Sequence, residues 1–308
     1  MHIGLWVDME GAGGIDDYRA CLPAFPHYWE TGRAALTADV IAAAEGLLAG
    51  GATSVSVVDI HGPGWFKNLI SDRLPVGVEP FSGPLHQEVL DAAFHIGFHA
   101  RCGTADGFMS HTHVPEFRIK VNDALVTENH VLAWNAAVPV LGVAGDRALE
   151  PELDGMLAGT PFLEVKRSTS RTATTLRYPD PDERAAAIRD FARQCLQSGR
   201  ERPAPIFAPG SQVLISMNPQ LIDATFEEHG LHRRSRATLS MIGSEWRTDI
   251  WPRVRIAARA ASRPLDEPVD QLDLTNPAVV RDGNPHALQQ LRERFDAWMH
   301  MLHPAWEE

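Results

Sequence analysis

The chain has 308 residues, of which 44% are hydrophobic, and its formal net charge at pH 7 is −12. This size allows a substantial core, arranged as two modest domains or as one large domain with an elaboration. The acidic balance argues against a nucleic-acid-binding protein, because such a protein needs a basic surface and the clearest basic cluster, residues 232–236, is short.

Strands and helices alternate through the first half of the sequence. The predicted elements are a strand over 2–8, a helix over 33–49, a strand over 53–59, a short helix over 86–93, strands over 94–98 and 117–121, a helix over 128–136 and a strand over 139–144. Asn122-Asp123 suits a hairpin turn. The alternation predicts an α/β fold with a largely parallel sheet flanked by helices.

The second half predicts a smaller α+β domain. Its elements are strands over 160–165, 212–217 and 237–242, and helices over 181–197, from Asn218-Pro219 onward, over 245–261 and over 286–302. The segment 262–285 is rich in proline and aspartate and is predicted to be a loop. We expect an α/β domain over residues 1–150, an α+β domain over 151–265, and a C-terminal loop and helix extension over 266–308.

Cysteine usage and hydropathy predict the compartment. Cys21, Cys102 and Cys195 are widely spaced and odd in number, which favours reduced thiols in a cytoplasmic protein. The N-terminus lacks the basic and apolar segments of a signal peptide. No stretch reaches the ~18 apolar residues of a membrane span, so no membrane partner is expected.

Two carboxylates, Asp8 and Glu10, stand at the end of the first predicted strand. Residues two apart in a strand point to the same face, so these side chains are expected to lie side by side. Two like charges at that distance repel unless a cation lies between them. The simpler alternative is a polar strand end followed by a glycine-rich turn. The pair alone does not decide between these interpretations.

Two further predicted strands end in a histidine, His61 and His99. Because the C-terminal ends of parallel strands meet at one edge of a sheet, these histidines are expected near Asp8 and Glu10. Carboxylates with imidazoles suit zinc or a similar divalent metal. Each histidine alone is explained as well by a turn or a capping role. Three strand ends with such residues favour a metal site.

A glycine-containing loop follows His99 and carries His111 and His113. Either histidine is a candidate metal ligand, or a neutral general acid or base beside a metal-activated water. Glu128 opens the next predicted helix, where an acid stabilises the helix dipole without any further role. Glu128 is a candidate ligand as well, because the other candidate ligands precede it in the sequence.

Taken in order, these motifs resemble the D-aminopeptidase family typified by the DppA peptidase, a group of dinuclear zinc peptidases. The matching motifs are Val7-Asp8-Met9-Glu10-Gly11, Asp59-Ile60-His61-Gly62 with Asn68-Leu69, Ile96-Gly97-Phe98-His99-Ala100 with Gly103-Thr104, Ser110-His111-Thr112, Asn122 with Glu128, and Val138-Pro139-Val140 before Gly145-Asp146. They cover roughly residues 1–146. The later half is similar only in general pattern, and the tail beyond about 262 looks like an addition.

The resemblance implies roles for these residues. Asp8 would bridge two zinc ions, Glu10, His61, His99 and Glu128 would complete the ligand set, and His111 would be the catalytic histidine. The domain over residues 1–150 would then be the catalytic domain. The implied activity is removal of an N-terminal, possibly D-, amino acid from a short peptide by a metal-activated water. The family also implies a homodecamer of stacked pentamers.

The sequence departs from the family pattern beside this set. Asp123 stands where the family usually has glycine, Asn129-His130 replace small residues, and the helix after Glu128 is about three residues short. These changes keep open a metal-dependent amidase that acts on a non-peptide small-molecule amide. A metallophosphoesterase is disfavoured because no Asn-His pair stands in the required context. Retention of every ligand type argues against a non-catalytic scaffold of the same fold.

Overall fold

The computed structural model of the protein describes residues 1–62, 67–81, 89–199 and 202–300, and of residues 264–267 only the backbone is described. Within these ranges, no helix is both long enough and apolar enough to cross a membrane. The three cysteines are free and buried, in agreement with the predicted reduced thiols.

The described residues form twelve strands and seven α-helices. The strands are β1 (His2–Val7), β2 (Ser54–Asp59), β3 (Val78–Pro80), β4 (Ala92–Phe98), β5 (Arg118–Val121), β6 (Ala124–Leu125), β7 (Val140–Asp146), β8 (Phe162–Ser170), β9 (Ala173–Leu176), β10 (Ser211–Ser216), β11 (His232–Arg233) and β12 (Thr238–Gly243). The helices are α1 (Pro26–Ala49), α2 (Glu128–Ala136), α3 (Pro181–Ser198), α4 (Thr225–Glu228), α5 (Trp251–Val269), α6 (Pro277–Asp282) and α7 (Pro285–His300).

Seven of these strands form one sheet in the order β3-β2-β1-β4-β7-β8-β9. All neighbours are parallel except β8 and β9. The predicted α/β fold with a largely parallel, helix-flanked sheet is confirmed. In the register, Val7 at the end of β1 pairs with Asp59 in β2 and with Ile96 in β4. Strands β1 and β2 therefore end at the same level and β4 runs two residues further, so the residues that follow these three strands share one edge of the sheet.

Helices cover both faces of this sheet. Residues of α1 and α3, such as Leu36, Val40 and Ile188, share one buried cluster with Leu5 of β1. On the other face, Leu132 of α2 packs with the strands. Strands buried on both sides read as continuous apolar runs, which is why β1, β4 and β7 were predictable. This rigid frame fixes the edge at which the polar residues emerge.

The second sheet has the order β11-β12-β10-β5-β6 and is antiparallel throughout. The predicted hairpin turn joins β5 to β6, with positive φ angles at Asn122 and Asp123. This sheet takes β5 and β6 from before residue 150, while β8 after it joins the large sheet. The predicted three-part division of the chain thus does not coincide with the two sheets, and it stays a prediction.

Several predicted elements need correction. Helix α1 begins at Pro26 rather than residue 33, because buried Trp29 extends its apolar face toward the N-terminus. Asn218 caps only a 3-10 turn over Pro219–Leu221, not a longer helix. The predicted helix over 86–93 lies partly outside the described residues, and its last two residues open β4. A second strand, β9, pairs with β8 where none was predicted.

The predicted loop over 262–285 is also wrong in part. Helix α5 follows a π-turn over Trp246–Ile250 and continues to Val269, which is buried in the core. Helix α6 then starts at Pro277, with Asn276 as its N-cap. A proline at the first helical position is favourable, so proline content alone did not indicate a loop here. The final helix, predicted over 286–302, is α7.

Candidate active site

Six polar side chains meet beyond the C-terminal ends of β1, β2 and β4. They are Asp8, Glu10, His61, His99, Glu128 and His111. His61 Nδ1 lies 2.9 Å from Glu10 Oε2 and 3.4 Å from Asp8 Oδ1. His99 Nε2 lies 3.2 Å from Asp8 Oδ2. The structure thus brings together all six residues that the sequence suggested, and the five other than His111 are buried.

Two glycines allow the strand ends to approach closely enough for this cluster to form. A Cβ atom at Gly97 would lie 1.9 Å from the Asp8 carbonyl oxygen, and one at Gly11 would lie 1.7 Å from the Phe98 carbonyl oxygen. Gly97 also has a φ of 80°, a conformation that only glycine adopts without strain. Any side chain at either position would therefore push Asp8 and His99 apart.

Backbone carbonyls fix the orientation of His61. Its Nε2 lies 2.7 Å from the Cys21 carbonyl oxygen. A carbonyl only accepts, so Nε2 carries the hydrogen and Nδ1 faces Asp8 and Glu10. Asn68 supports the turn by donating to the Asp59 carboxylate and to the His61 carbonyl. The His61 imidazole is therefore held with Nδ1 directed at Asp8 and Glu10.

His99 is oriented in the same way. Its Nδ1 lies 2.8 Å from the Ala100 carbonyl oxygen, which directs Nε2 toward Asp8. Within the described residues, His99 Nε2 and Asp8 Oδ2 are buried and have no hydrogen-bond partner of normal geometry, although they face each other. Buried polar atoms without such a partner are uncommon and call for an explanation. A cation held between a carboxylate oxygen and an imidazole nitrogen would satisfy both atoms.

The donor atoms form overlapping groups, each suited to hold a metal ion. Three groups of side chains each place their ligand atoms within 4.8 Å of one another; they are Asp8 with Glu10 and His61, Asp8 with His99 and Glu128, and Glu10 with His99 and His111. Asp8, Glu10 and His99 each belong to two of these groups. Carboxylate oxygens and imidazole nitrogens are the donor set that zinc accepts. The residues present therefore fit the metal that the sequence suggested.

Glu128 enters the cluster from the first turn of α2. Thr127 caps this helix together with His130, so the start of the helix is fixed. The Glu128 carboxylate accepts a short hydrogen bond from the backbone N–H of His113. The His113 ring itself packs against Trp251, with ring centroids 5.3 Å apart. Of the two loop histidines, only His111 thus joins the groups of candidate ligand atoms.

The His111 imidazole lies over the cluster and remains 13% exposed. Its Nδ1 donates to the Met109 carbonyl oxygen at 2.8 Å, so the unprotonated nitrogen is Nε2. Nε2 lies 3.9 Å from Glu10 Oε1 and 3.8 Å from Glu128 Oε1. Burial, followed by repulsion from the charged His99, holds the pKa of His111 well below its usual value. His111 is therefore a neutral base directed at the cluster.

The carboxylates and the other two histidines stabilise each other's charges. Burial opposes charge on Asp8, but His61 and His99 outweigh that effect and hold the pKa of Asp8 well below its usual value. Burial also opposes charge on the histidines, yet the neighbouring carboxylates raise the pKa of His61 well above its usual value and that of His99 to about 10. Burial dominates at Glu128 and raises its pKa to about 7.

These pKa shifts predict proton release when metal binds. A raised histidine pKa means that His61 and His99 keep their extra protons at neutral pH, whereas a metal ligand must be a neutral imidazole. Asp8 is already ionised and releases none, whereas Glu128, with a pKa of about 7, is about half protonated at pH 7. We expect about two to three protons per chain to be released near pH 7, and metal affinity to rise with pH up to about pH 10, where His99 loses its extra proton. Isothermal titration calorimetry in buffers of different ionisation enthalpy measures this number, and a buffer-independent heat would contradict it.

Other residues of the site gave no clear signal in the sequence. Glu152 accepts from the backbone N–H of Arg101 at 2.8 Å and from the Thr104 hydroxyl, which anchors the start of the His111 loop. Asp146 accepts from the Phe108 N–H at 3.3 Å and anchors the same loop further on. In the sequence, Asp146 is marked only by the Gly145-Asp146 motif, and no motif marks Glu152. The carboxylates of Glu152 and Asp146 thus hold the loop that carries His111 at two points.

Comparisons with known proteins agree with this geometry. A model of the D-aminopeptidase family matches residues 1–247. A D-aminopeptidase from Bacillus subtilis (strain 168) is 28% identical over 226 residues, which are 70% of this chain and 80% of that protein. The solved structure of the Zn-dependent D-aminopeptidase DppA from Bacillus subtilis, described as a self-compartmentalizing protease, has a TM-score of 0.75 and 23% identity and covers 85% of this chain and 98% of that one. The chain belongs to the D-aminopeptidase family.

Proposed function

We propose that this protein is a zinc-dependent aminopeptidase that removes an N-terminal D-amino acid from short peptides. The observation that carries the proposal is Asp8, a buried carboxylate shared by two groups of candidate ligands beneath the neutral base His111. Membership of the D-aminopeptidase family supports the peptide substrate and the D preference. The zinc dependence of DppA, the protein of the similar solved structure, supports the choice of metal.

The chain's own residues divide into two ligand sets around Asp8. Glu10 and His61 would hold one ion with Asp8, and His99 and Glu128 would hold the other. When bound, the ions supply Lewis-acid chemistry that polarises the scissile carbonyl and lowers the pKa of water toward neutrality. The carbonyls of Cys21 and Ala100 keep both histidines turned toward these positions.

His111 is proposed to move the proton. Its Nε2 is unprotonated and faces the cluster, so it can accept a proton from the attacking water and pass it to the leaving amine. The hydrogen bond to the Met109 carbonyl keeps the ring in the tautomer that this role requires. The depressed pKa of His111 keeps the base free at neutral pH.

The proposed activity requires a substrate with a free amino terminus, and membership of the D-aminopeptidase family supports this requirement. Glu10 and Glu128 lie 3.9 and 3.8 Å from His111 Nε2, so the proposed base lies next to both ligand sets. A free amino terminus is the requirement that separates an aminopeptidase from a peptidase that cleaves within a chain.

A panel of substrates tests the proposal. The zinc-loaded protein is expected to cleave D-aminoacyl anilides, and to cleave neither their N-acetylated forms nor simple amides. Treatment with a chelator should abolish cleavage, and added zinc should restore it, with two ions per chain by elemental analysis. Cleavage of simple amides alone would favour the non-peptide amidase, and faster cleavage of L-aminoacyl anilides would contradict the D preference.

We also propose an oligomeric state and a cellular location for this protein. The description of DppA as self-compartmentalizing supports a closed homo-oligomer, and we propose a homodecamer of 33.9 kDa chains. The free, buried thiols support a cytoplasmic location. Sedimentation velocity measures the assembly, and a monomer at micromolar concentration would contradict it.

A further inference from the structure

Trp298 of helix α7 packs against the proposed catalytic histidine. The ring centroids of Trp298 and His111 are 5.5 Å apart and the rings are perpendicular. The indole is buried, with 8% of its surface exposed. Helix α7 lies beyond residue 247, where the match to the family model ends. We propose that Trp298 is a positioning residue that holds His111 in its active orientation, an inference that rests on the proposed function of His111.

Helix α7 is firmly docked beside the site. Tyr18 donates its hydroxyl hydrogen to Asp296 at 2.7 Å, and Arg292 Nε donates to the Ala24 carbonyl at 2.7 Å. Both contacts lie on the segment that also carries the Cys21 carbonyl, the partner of His61. The apolar face of the helix is buried in the main core through Leu288, Leu291, Phe295 and Met299. Trp298 thus lies beside His111 on a helix that has little freedom to shift.

A second connection links Trp298 to the same histidine. The Arg171 guanidinium lies over the Trp298 ring, 5.1 Å from its centroid, and donates to the Trp298 carbonyl at 3.3 Å. The Arg171 carbonyl accepts from the Met109 N–H at 2.9 Å. Met109 in turn holds His111 Nδ1. The tryptophan therefore contacts both the His111 ring and the residue that anchors the backbone before it.

The surroundings of His111 leave it one orientation. The His99 ring stacks on it with centroids 4.2 Å apart and planes 13° from parallel. Trp298 packs against it at a right angle, and the Met109 carbonyl holds Nδ1. Without the indole, the ring would lose one of these three constraints and water would reach it. A small misplacement of a catalytic group can lower the rate up to about 100-fold.

Three variants separate positioning from general stability. Trp298→Ala is expected to lower kcat by roughly 10- to 100-fold with a much smaller change in KM, because the proton-transfer geometry is lost while the zinc ligands remain. Trp298→Phe should recover most of kcat, since an aromatic ring is kept. Leu288→Ala removes a buried side chain from the same helix away from His111, and it should lower the melting temperature but keep kcat.

A labelling experiment gives a readout that needs no substrate. Diethyl pyrocarbonate modifies exposed imidazoles, and peptide mass spectrometry locates the modified histidine. In the full-length zinc-loaded protein, Trp298→Ala should speed modification of His111 several-fold, and Leu288→Ala should not. Unchanged kcat and unchanged labelling in Trp298→Ala would overturn the proposal, as would an equal loss in Leu288→Ala. An inactive wild type would instead contradict the proposed function, and the labelling result would still decide whether Trp298 covers His111.

Discussion

Asp8→Asn is expected to reduce the zinc content from two ions per chain to nearly none. Asp8 is the carboxylate that the group of Glu10 and His61 shares with the group of His99 and Glu128, the two sets proposed to hold the ions. A neutral amide supplies one acceptor oxygen in place of two anionic ones, so it cannot bridge two cations. Elemental analysis after dialysis against buffered zinc measures the loss, and hydrolysis should fall with it.

Two comparisons make the Asp8 result specific. Asp16→Asn removes the same charge from an exposed position nearby and should retain both ions. His61→Ala removes a ligand that belongs to one group only, so it should retain one ion. If Asp8→Asn bound two ions with the affinity of the wild type, the shared-ligand arrangement would be wrong.

His111→Ala is expected to lower kcat by about 10²- to 10⁴-fold, the usual contribution of a general acid–base group. Zinc content should stay near the wild-type value, because Asp8, Glu10, His61, His99 and Glu128 supply both ligand sets without it. Steady-state kinetics on a D-aminoacyl anilide and elemental analysis of the same preparation provide the two measurements.

The second histidine of the loop is the matched control. His113 packs its ring against Trp251, and its contact with Glu128 uses the backbone N–H, which His113→Ala keeps. This variant should retain most of kcat. Loss of zinc in parallel with activity in His111→Ala would count against the catalytic role, since His111 also forms a possible ligand group with Glu10 and His99.

The part of the site that the sequence predicted depends on one geometric regularity. In a parallel sheet, residues just after the strands meet at one edge, so the positions of Asp8, His61 and His99 along the chain already implied their proximity. The large sheet was predictable for a related reason, because strands buried on both faces have uninterrupted apolar sequences. Glu128 needed the family resemblance, since an acid in a first helical turn is ordinary.

What the sequence did not predict depends on contacts between distant or featureless segments. The carbonyls of Cys21 and Met109 decide which nitrogen of His61 and of His111 faces the acidic cluster, but any type of residue can supply a backbone carbonyl. Trp298 lies almost 190 residues from His111, on a helix that resembles any amphipathic surface helix. The composition of the proline-rich segment before it predicts a loop, although this segment contains Asn276-Pro277, the start signal of α6.

The proposed ligands come from four separate segments, near residues 8, 61, 99 and 128, so a bound metal would cross-link the ends of β1, β2 and β4 to α2. A ligand that binds only the folded state adds about 4 kcal/mol to the free energy of unfolding when its free concentration is 1,000 times its dissociation constant. A cell short of zinc would therefore lose more than turnover, because the metal-free protein would unfold more readily and be exposed to degradation.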